Sequence, residues 1–248
     1  MEEKVNNKKI YDETWRLWHD MKLYGPGSRW IRHLIFDLIS KIKNKDSIGS
    51  ILDVGCGEGT TTYFIANHFK KSKVKGIDFS ITGIECAKEI YKLPNLEFIY
   101  DQNSENLNFK YDLICCFEVL EHIENWQYVL DKIASASNKY LLVSFPTGRM
   151  RPYEVNVGHV RNFKKGEVEA FLTKLGFEAV QTYYAGFPFY SPIYREMCNI
   201  TNSAGNKFTQ GKYGTKQKII SNLFYILFKF FSTKKKMGDQ FCGLFIKK

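Results

Sequence analysis

The sequence predicts a doubly wound α/β fold, and three observations carry that expectation. From residue 50 onward, short apolar runs alternate with longer stretches of helical periodicity. The first run passes directly into a turn holding three glycines, Gly55, Gly57 and Gly59. The second run ends on an acid, Asp78. The runs are S-I-L-D-V (50–54), K-V-K-G-I-D (73–78), L-E-F-I-Y (96–100), Y-D-L-I-C-C-F (111–117), K-Y-L-L-V-S-F (139–145) and F-E-A-V-Q-T-Y (177–183). Apolar runs separated by helices imply parallel strands covered on both faces. A last run, Q-F-C-G-L-F-I (240–246), can finish the sheet.

Two helices precede the first strand, over 10–22 and 28–43. The second follows Y-G-P-G-S, with Ser28 as its N-cap, and carries an apolar stripe at 30, 31, 34, 35, 38, 39 and 42. A further helix is expected over 164–175. The chain then reads as one domain, 1–248, divided into an N-terminal helical lid (1–45), a core (46–184), an insertion (185–236) and a final strand (237–248). The insertion is too long for an ordinary connection. Within it, I-I-S-N-L-F-Y-I-L-F-K-F-F (219–231) is apolar around most of a helical circumference, with lysines beyond both ends. Such a helix packs on the body or in a dimer interface, or lies on an anionic membrane surface or a partner through residues 216–236.

Composition narrows the function classes. With 248 residues, 44% hydrophobic and 25% charged, the chain is neither a disordered nor a collagen-like polymer. No stretch reaches the ~18 uninterrupted apolar residues of a membrane span. The opening M-E-E-K-V-N-N-K-K has no apolar core, so no secretory signal is read and the expected compartment is the cytoplasm. The formal charge is +10, but residues 206–248 hold ten lysines against one acid, Asp239. That balance of +9 leaves +1 for the rest, which argues against nucleic acid as a partner of the body. Six cysteines form no C-x-x-C pair, and Cys115 and Cys116 sit inside an apolar run as small buried residues. Neither a disulfide framework nor a metal site is expected.

The glycine turn, I-L-D-V-G-C-G-E-G-T (51–60), carries the chemistry. Glycines let the backbone turn sharply and approach a ligand, and the helix starting near Thr60 aims free N–H groups at the same spot. A dinucleotide fingerprint needs G-x-G-x-x-G, whereas here the third glycine falls one residue early. The G-x-G-x-G form preceded by Asp53 resembles the first motif of class I S-adenosylmethionine-dependent methyltransferases. Three further matches follow in order. Asp78 ends the second strand, where a carboxylate can accept both ribose hydroxyls, with Phe79 beside it to cover the adenine. Asp101, next to Gln102 in F-I-Y-D-Q-N (98–103), follows the third strand at the place of an adenine-binding acid. Y-D-L-I-C-C-F-E-V-L-E-H-I (111–123) is similar to the family's fourth motif.

The resemblance implies a seven-stranded sheet with its last strand antiparallel, and S-adenosylmethionine as cofactor. It implies that Asp53, Gly55, Cys56, Gly57, Asp78, Phe79, Asp101, Gln102, Phe117 and Glu118 surround that cofactor, with Asp53 orienting the loop. The leading segment 18–33 is similar to the part that caps the pocket in relatives, where Arg29 or Arg32 would pair with the cofactor carboxylate or stand as a surface charge. Related O-methyltransferases carry acceptor residues in the loop after the fifth strand, here R-P-Y-E-V-N-V-G-H-V-R-N-F (151–163). His159 in that loop is the expected base, with His122 second, and capping is the structural reading of each. Arg149, Tyr153 and Arg161 would contact the acceptor, and three arginines (149, 151, 161) suggest an acidic or phosphorylated one.

The expected reaction is methylation of an oxygen on a small polar acceptor. The loop and inserted helix look like those of enzymes that modify sugars, nucleotide sugars or phosphoramidate groups of surface polysaccharides. N- or C-methylation of an aromatic or quinone-like acceptor is the alternative within enzymes. A catalytically silent cofactor-binding partner protein is the alternative outside them.

Overall fold

The computed structural model describes residues 7–202 and 210–248. Two helices, α1 (Asn7–Tyr24) and α2 (Pro26–Ile39), lead into the sheet. The alternating part follows as β1 (Ser50–Val54), α3 (Thr60–His68), β2 (Lys73–Asp78), α4 (Ile81–Ile90), β3 (Leu96–Tyr100), β4 (Tyr111–Phe117), α5 (Trp126–Ala136) and β5 (Ser137–Pro146). A short α6 (Pro152–Asn156), α7 (Glu167–Lys174) and β6 (Phe177–Ala185) come next. The insertion contributes an irregular turn over Phe189–Tyr194, α8 (Arg195–Asn202) and α9 (Thr215–Phe231) before β7 (Gln240–Lys247).

The strands form a seven-stranded sheet in the order β3-β2-β1-β4-β5-β7-β6. β7 pairs antiparallel with both β5 and β6, so it finishes the sheet from inside and leaves β6 at the edge. The other pairings are parallel. Chain order reverses between β1 and β4, and crossovers leave that point on opposite faces. The crevice opened there, at the carboxyl ends of the strands, is where ligands bind in such sheets.

Both faces are covered, which explains the near-continuous apolar runs. One core places Ile51, Leu113, Cys115 and Leu142 against Trp30, Leu34, Ile35 and Leu38 of α2. The opposite core places Leu52, Ile114, Cys116 and Val143 against Trp126 and Leu130 of α5 and Leu172 of α7. Cys115 and Cys116 therefore serve opposite cores, as alternation along a strand requires.

Three helix limits differ from expectation, each for a local reason. The first helix runs longer than 10–22. The second starts at Pro26 with Gly25 as its N-cap, so Ser28 lies inside the first turn. Proline presets the first helical φ, and a Cβ on Gly25 would lie 2.3 Å from the Met21 carbonyl, so glycine sets the corner. Gly166, at φ +84°, delays the helix expected over 164–175 until Glu167.

α9 packs on α2 and the body through Phe228, whose ring meets Trp30, Tyr190 and Tyr194. Its opposite face leaves Leu223, Phe230 and Phe231 more than 60% exposed.

Phe241 sits at the centre of the second core, stacked on Phe145 at 4.5 Å and beside Tyr184. Phe241→Ala leaves a cavity that this packed layer cannot close. It is expected to lower unfolding free energy by about 3–5 kcal/mol, read by urea denaturation. Ile226→Ala, on the outer side of α9, should stay within about 0.5 kcal/mol.

Candidate active site

The loop after β1 is built to leave space. Gly55, Gly57 and Gly59 take φ of +74°, +55° and +85°, a region costly for any residue with a Cβ. A Cβ on Gly55 would come within 2.4 Å of Val119, and one on Gly57 within 2.4 Å of the Trp15 ring from α1. The loop is pinned from β2: Asp78 accepts a hydrogen bond from the Gly57 N–H at 2.8 Å and another from the Ser80 N–H at 2.8 Å. Asp53, at the end of β1, accepts from the Thr62 hydroxyl at 2.6 Å, which ties the strand to α3.

A cavity of about 850 Å³ opens over these groups at the reversal between β1 and β4. Asp53, Gly55, Cys56, Asp78, Phe79, Asp101, Gln102, Phe117 and Glu118 all line it, while Gly57 reaches it through its bond to Asp78. Phe79 is 39% exposed and lines the cavity beside Asp78. Asp101 differs in detail from its expected role. It accepts from the backbone N–H groups of Glu105 and Asn106 and from the Asn106 amide, so it also holds the turn after β3. Partial burial opposes its charge, but these donors win and hold its pKa below the usual carboxylate value. Glu118 has φ +55° and accepts from Ser144 and from Gln240 of β7. A glycine cradle beside a strand-end carboxylate suits a nucleoside bearing a ribose and an amino-acid chain, so the residues fit S-adenosylmethionine.

On the acceptor side, His122, Tyr153 and His159 line the same cavity. The two imidazoles meet edge to face with centroids 4.6 Å apart. His122 Nδ1 donates to the Gly158 carbonyl at 3.0 Å, which leaves its Nε2 without a proton. Burial pushes the His122 pKa down to about 3 and that of His159 to about 4, so both rings are neutral at ordinary pH.

Three expected contacts are corrected. Arg29 lies outside the cavity: it donates to Asn222 of α9 at 2.6 Å and stacks on Tyr225, because its helical position faces the insertion. The cavity arginine is Arg32, whose guanidinium bonds the carbonyls of Lys22 and Leu23. Arg149 and Arg161 are also outside the lining. Arg149 and Arg151 share Glu196 of α8, and Arg161 donates to the Glu124 carbonyl. The loop arginines thus fasten the loop to its surroundings, and the inference of an anionic acceptor loses that support.

Sequence reasoning missed several lining groups, among them Lys22, Tyr190, Tyr194, Arg195 and Gln240. Most come from the insertion and β7, where no motif signals them. Arg195 forms a buried ion pair with Glu154, which locks α8 to the acceptor loop. His19 bonds the buried Glu58 at 3.0 Å and so anchors α1 to the glycine loop; that bond holds the His19 pKa above its ordinary value.

Burial raises the Asp53 pKa to about 7, with the Asp78 charge adding to the shift and Thr62 opposing it. A folded-state pKa above the unfolded one gives stability present below about pH 4 and lost as pH rises toward 7. Relative to Asp53→Asn, the wild type should therefore lose stability across that window, by at most about 1.4 kcal/mol per pH unit. Urea unfolding of both proteins from pH 4 to 8 checks this, and a constant difference would contradict it.

The sequence profile described as a methyltransferase domain matches residues 28–182. A protein of Invertebrate iridescent virus 6 named as a methyltransferase is 35% identical over 100 residues, covering 38% of this chain and 37% of that protein. The (S)-coclaurine N-methyltransferase of Thalictrum flavum is 32% identical over 88 residues, covering 34% of this chain and 24% of the enzyme. The chain thus matches well under half of these relatives' lengths. In fold it is similar to the N-methyltransferase NodS of Bradyrhizobium japonicum with S-adenosyl-L-homocysteine bound (TM-score 0.61, 15% identity, 98% of each chain). It is likewise similar to the magnesium protoporphyrin IX methyltransferase of Synechocystis with S-adenosylmethionine bound (TM-score 0.60, 15% identity, 100% of each chain). With the profile spanning more than half its length and the glycine cradle in place, the chain belongs to the class I S-adenosylmethionine-dependent methyltransferases.

Proposed function

We propose that this protein transfers a methyl group from S-adenosylmethionine to a hydroxyl of a small polar acceptor, such as a sugar or nucleotide sugar. The observation that carries the reading is the neutral His122–His159 pair on the cavity wall. S-adenosylmethionine supplies a methyl carried on a positively charged sulfur, already electrophilic, so the protein's work is positioning, exclusion of water and removal of a proton. Asp78 and the glycine loop hold the nucleoside end, and Phe117 and Glu118 stand at the tip of β4. His159 accepts the acceptor hydroxyl's proton at an imidazole nitrogen, and His122 holds the ring beside it. Tyr153, Tyr190 and Tyr194 offer apolar faces with polar edges, a surface on which a sugar ring can lie.

A second reading, transfer to an amine nitrogen, is favoured by the acidic wall of Glu118 and Glu154 and by the N-methyltransferases among the similar proteins. Incubation with methyl-labelled cofactor and a panel of sugars, nucleotide sugars and aromatic amines distinguishes the two. Labelled methyl ethers support the oxygen reading, and label confined to nitrogen overturns it.

Asp78→Ala removes both the ribose acceptor and the pin on Gly57. It is expected to weaken S-adenosylhomocysteine binding by at least about thirtyfold, about 2 kcal/mol, measured by calorimetry on folded protein. His159→Ala should lower kcat by about 10²–10⁴ while cofactor affinity changes no more than about twofold. Unchanged kcat would remove His159 as the base.

A further inference from the structure

Glu121 stands one residue before His122, is 0% exposed, and neither of its carboxylate oxygens meets a donor in hydrogen-bonding geometry. An uncompensated buried carboxylate is costly, and native interiors rarely keep one without a partner. The ligand atoms of Glu121, His122 and His159 all lie within 4.8 Å of one another. His122 and His159 also line the cavity, so the cluster opens toward the acceptor. We propose that Glu121, His122 and His159 form a binding site for one divalent first-row transition ion, such as Zn²⁺, Co²⁺ or Mn²⁺.

The donor set selects that class. Two imidazoles and one carboxylate suit transition dications, whereas Mg²⁺ and Ca²⁺ take mainly oxygen ligands. Three protein ligands leave a coordination position open toward the cavity, as in sites that bind water or a substrate oxygen. The His122 Nδ1–H bond to Gly158 fixes the ring and presents Nε2, the arrangement that second partners give to metal-ligating histidines. Glu118 Oε1 is engaged by Ser144 and Gln240 and Glu118 is outside the cluster, which leaves Glu121 as the carboxylate of the set. The absence of cysteine pairs had argued against a metal, but that spacing belongs to structural zinc sites. An adjacent Glu-His pair completed by a loop histidine leaves no such pattern.

Ion binding is read without acceptor or cofactor, so it is tested apart from the oxygen-acceptor reading; a His159 that holds the ion does not accept the acceptor's proton, and its role as base belongs to the ion-free protein. Chelator-treated full-length protein titrated with Zn²⁺ by calorimetry should take up one ion per chain at micromolar affinity or tighter. Co²⁺ should give visible d–d absorption without a thiolate charge-transfer band. Glu121→Gln and His159→Asn should each weaken the ion at least tenfold, and His68→Asn, at the C-terminal end of α3 and outside the cluster, should not. The Glu121→Gln change keeps the side chain's size, so the ion-free variant should stay folded and cooperative in melting and lose only the ion-dependent rise in Tm. No uptake of Zn²⁺ or Co²⁺, or uptake of undiminished affinity in Glu121→Gln, would overturn the site.

Discussion

The carboxylate of Asp78 is the constraint on which the cofactor half of this molecule depends. It stands at the end of β2, yet one of its oxygens holds the Gly57 N–H of the neighbouring loop. That bond fixes a backbone with three left-handed residues, which no side-chain packing alone would select. The opposite oxygen receives the Ser80 N–H, where α4 begins with the Ser80 side chain as its cap. Strand, loop and helix therefore share one anion. The same anion faces the cavity, so the group that shapes the pocket is also the group that reads what enters it.

The acceptor half is organised by charge in a different way. Glu154, Arg195, Arg151, Glu196 and Asp239 link the loop after β5, the start of α8 and the turn before β7. Both arginine side chains are only about 3% exposed; Glu196 and Asp239 are partly exposed, and the pair buried on both sides is Arg195–Glu154. Breaking one partner of such a pair is far more disruptive than losing a surface ion pair, because a bare charge is left behind. The insertion is thus fastened to the sheet through polar contacts on the acceptor side and through Phe228 and Tyr190 on the other. Its two attachments frame the mouth of the cavity without filling it.

Most of the sheet was legible in the sequence because buried parallel strands leave continuous apolar runs, and all seven runs became strands. The cofactor side was legible for a related reason: glycine at 55, 57 and 59 and an acid at 78 are demanded by backbone geometry close to a ligand. Arginines gave poorer guidance. Arg29, Arg149 and Arg161 have the chemistry to hold an anion, but which way each points depends on Asn222, Glu196 and Glu124, all distant or unmarked in sequence. Arg195, Tyr190 and Gln240 lie in segments without periodic or motif signals, and only folding brings them to the cavity. The middle placement of β7 was likewise invisible, since an apolar run does not state its neighbours.

The contact between Trp15 and the glycine loop has a consequence for the cavity itself. The indole lies so close over Gly57 that a single methyl there would collide with it, and Trp18, Met21 and Lys22 continue the same wall. A molecule held against that loop therefore meets α1 as one wall, so the leading helix is part of the container as well as of the scaffold, and a change that thins the indole would widen the cavity at its glycine end.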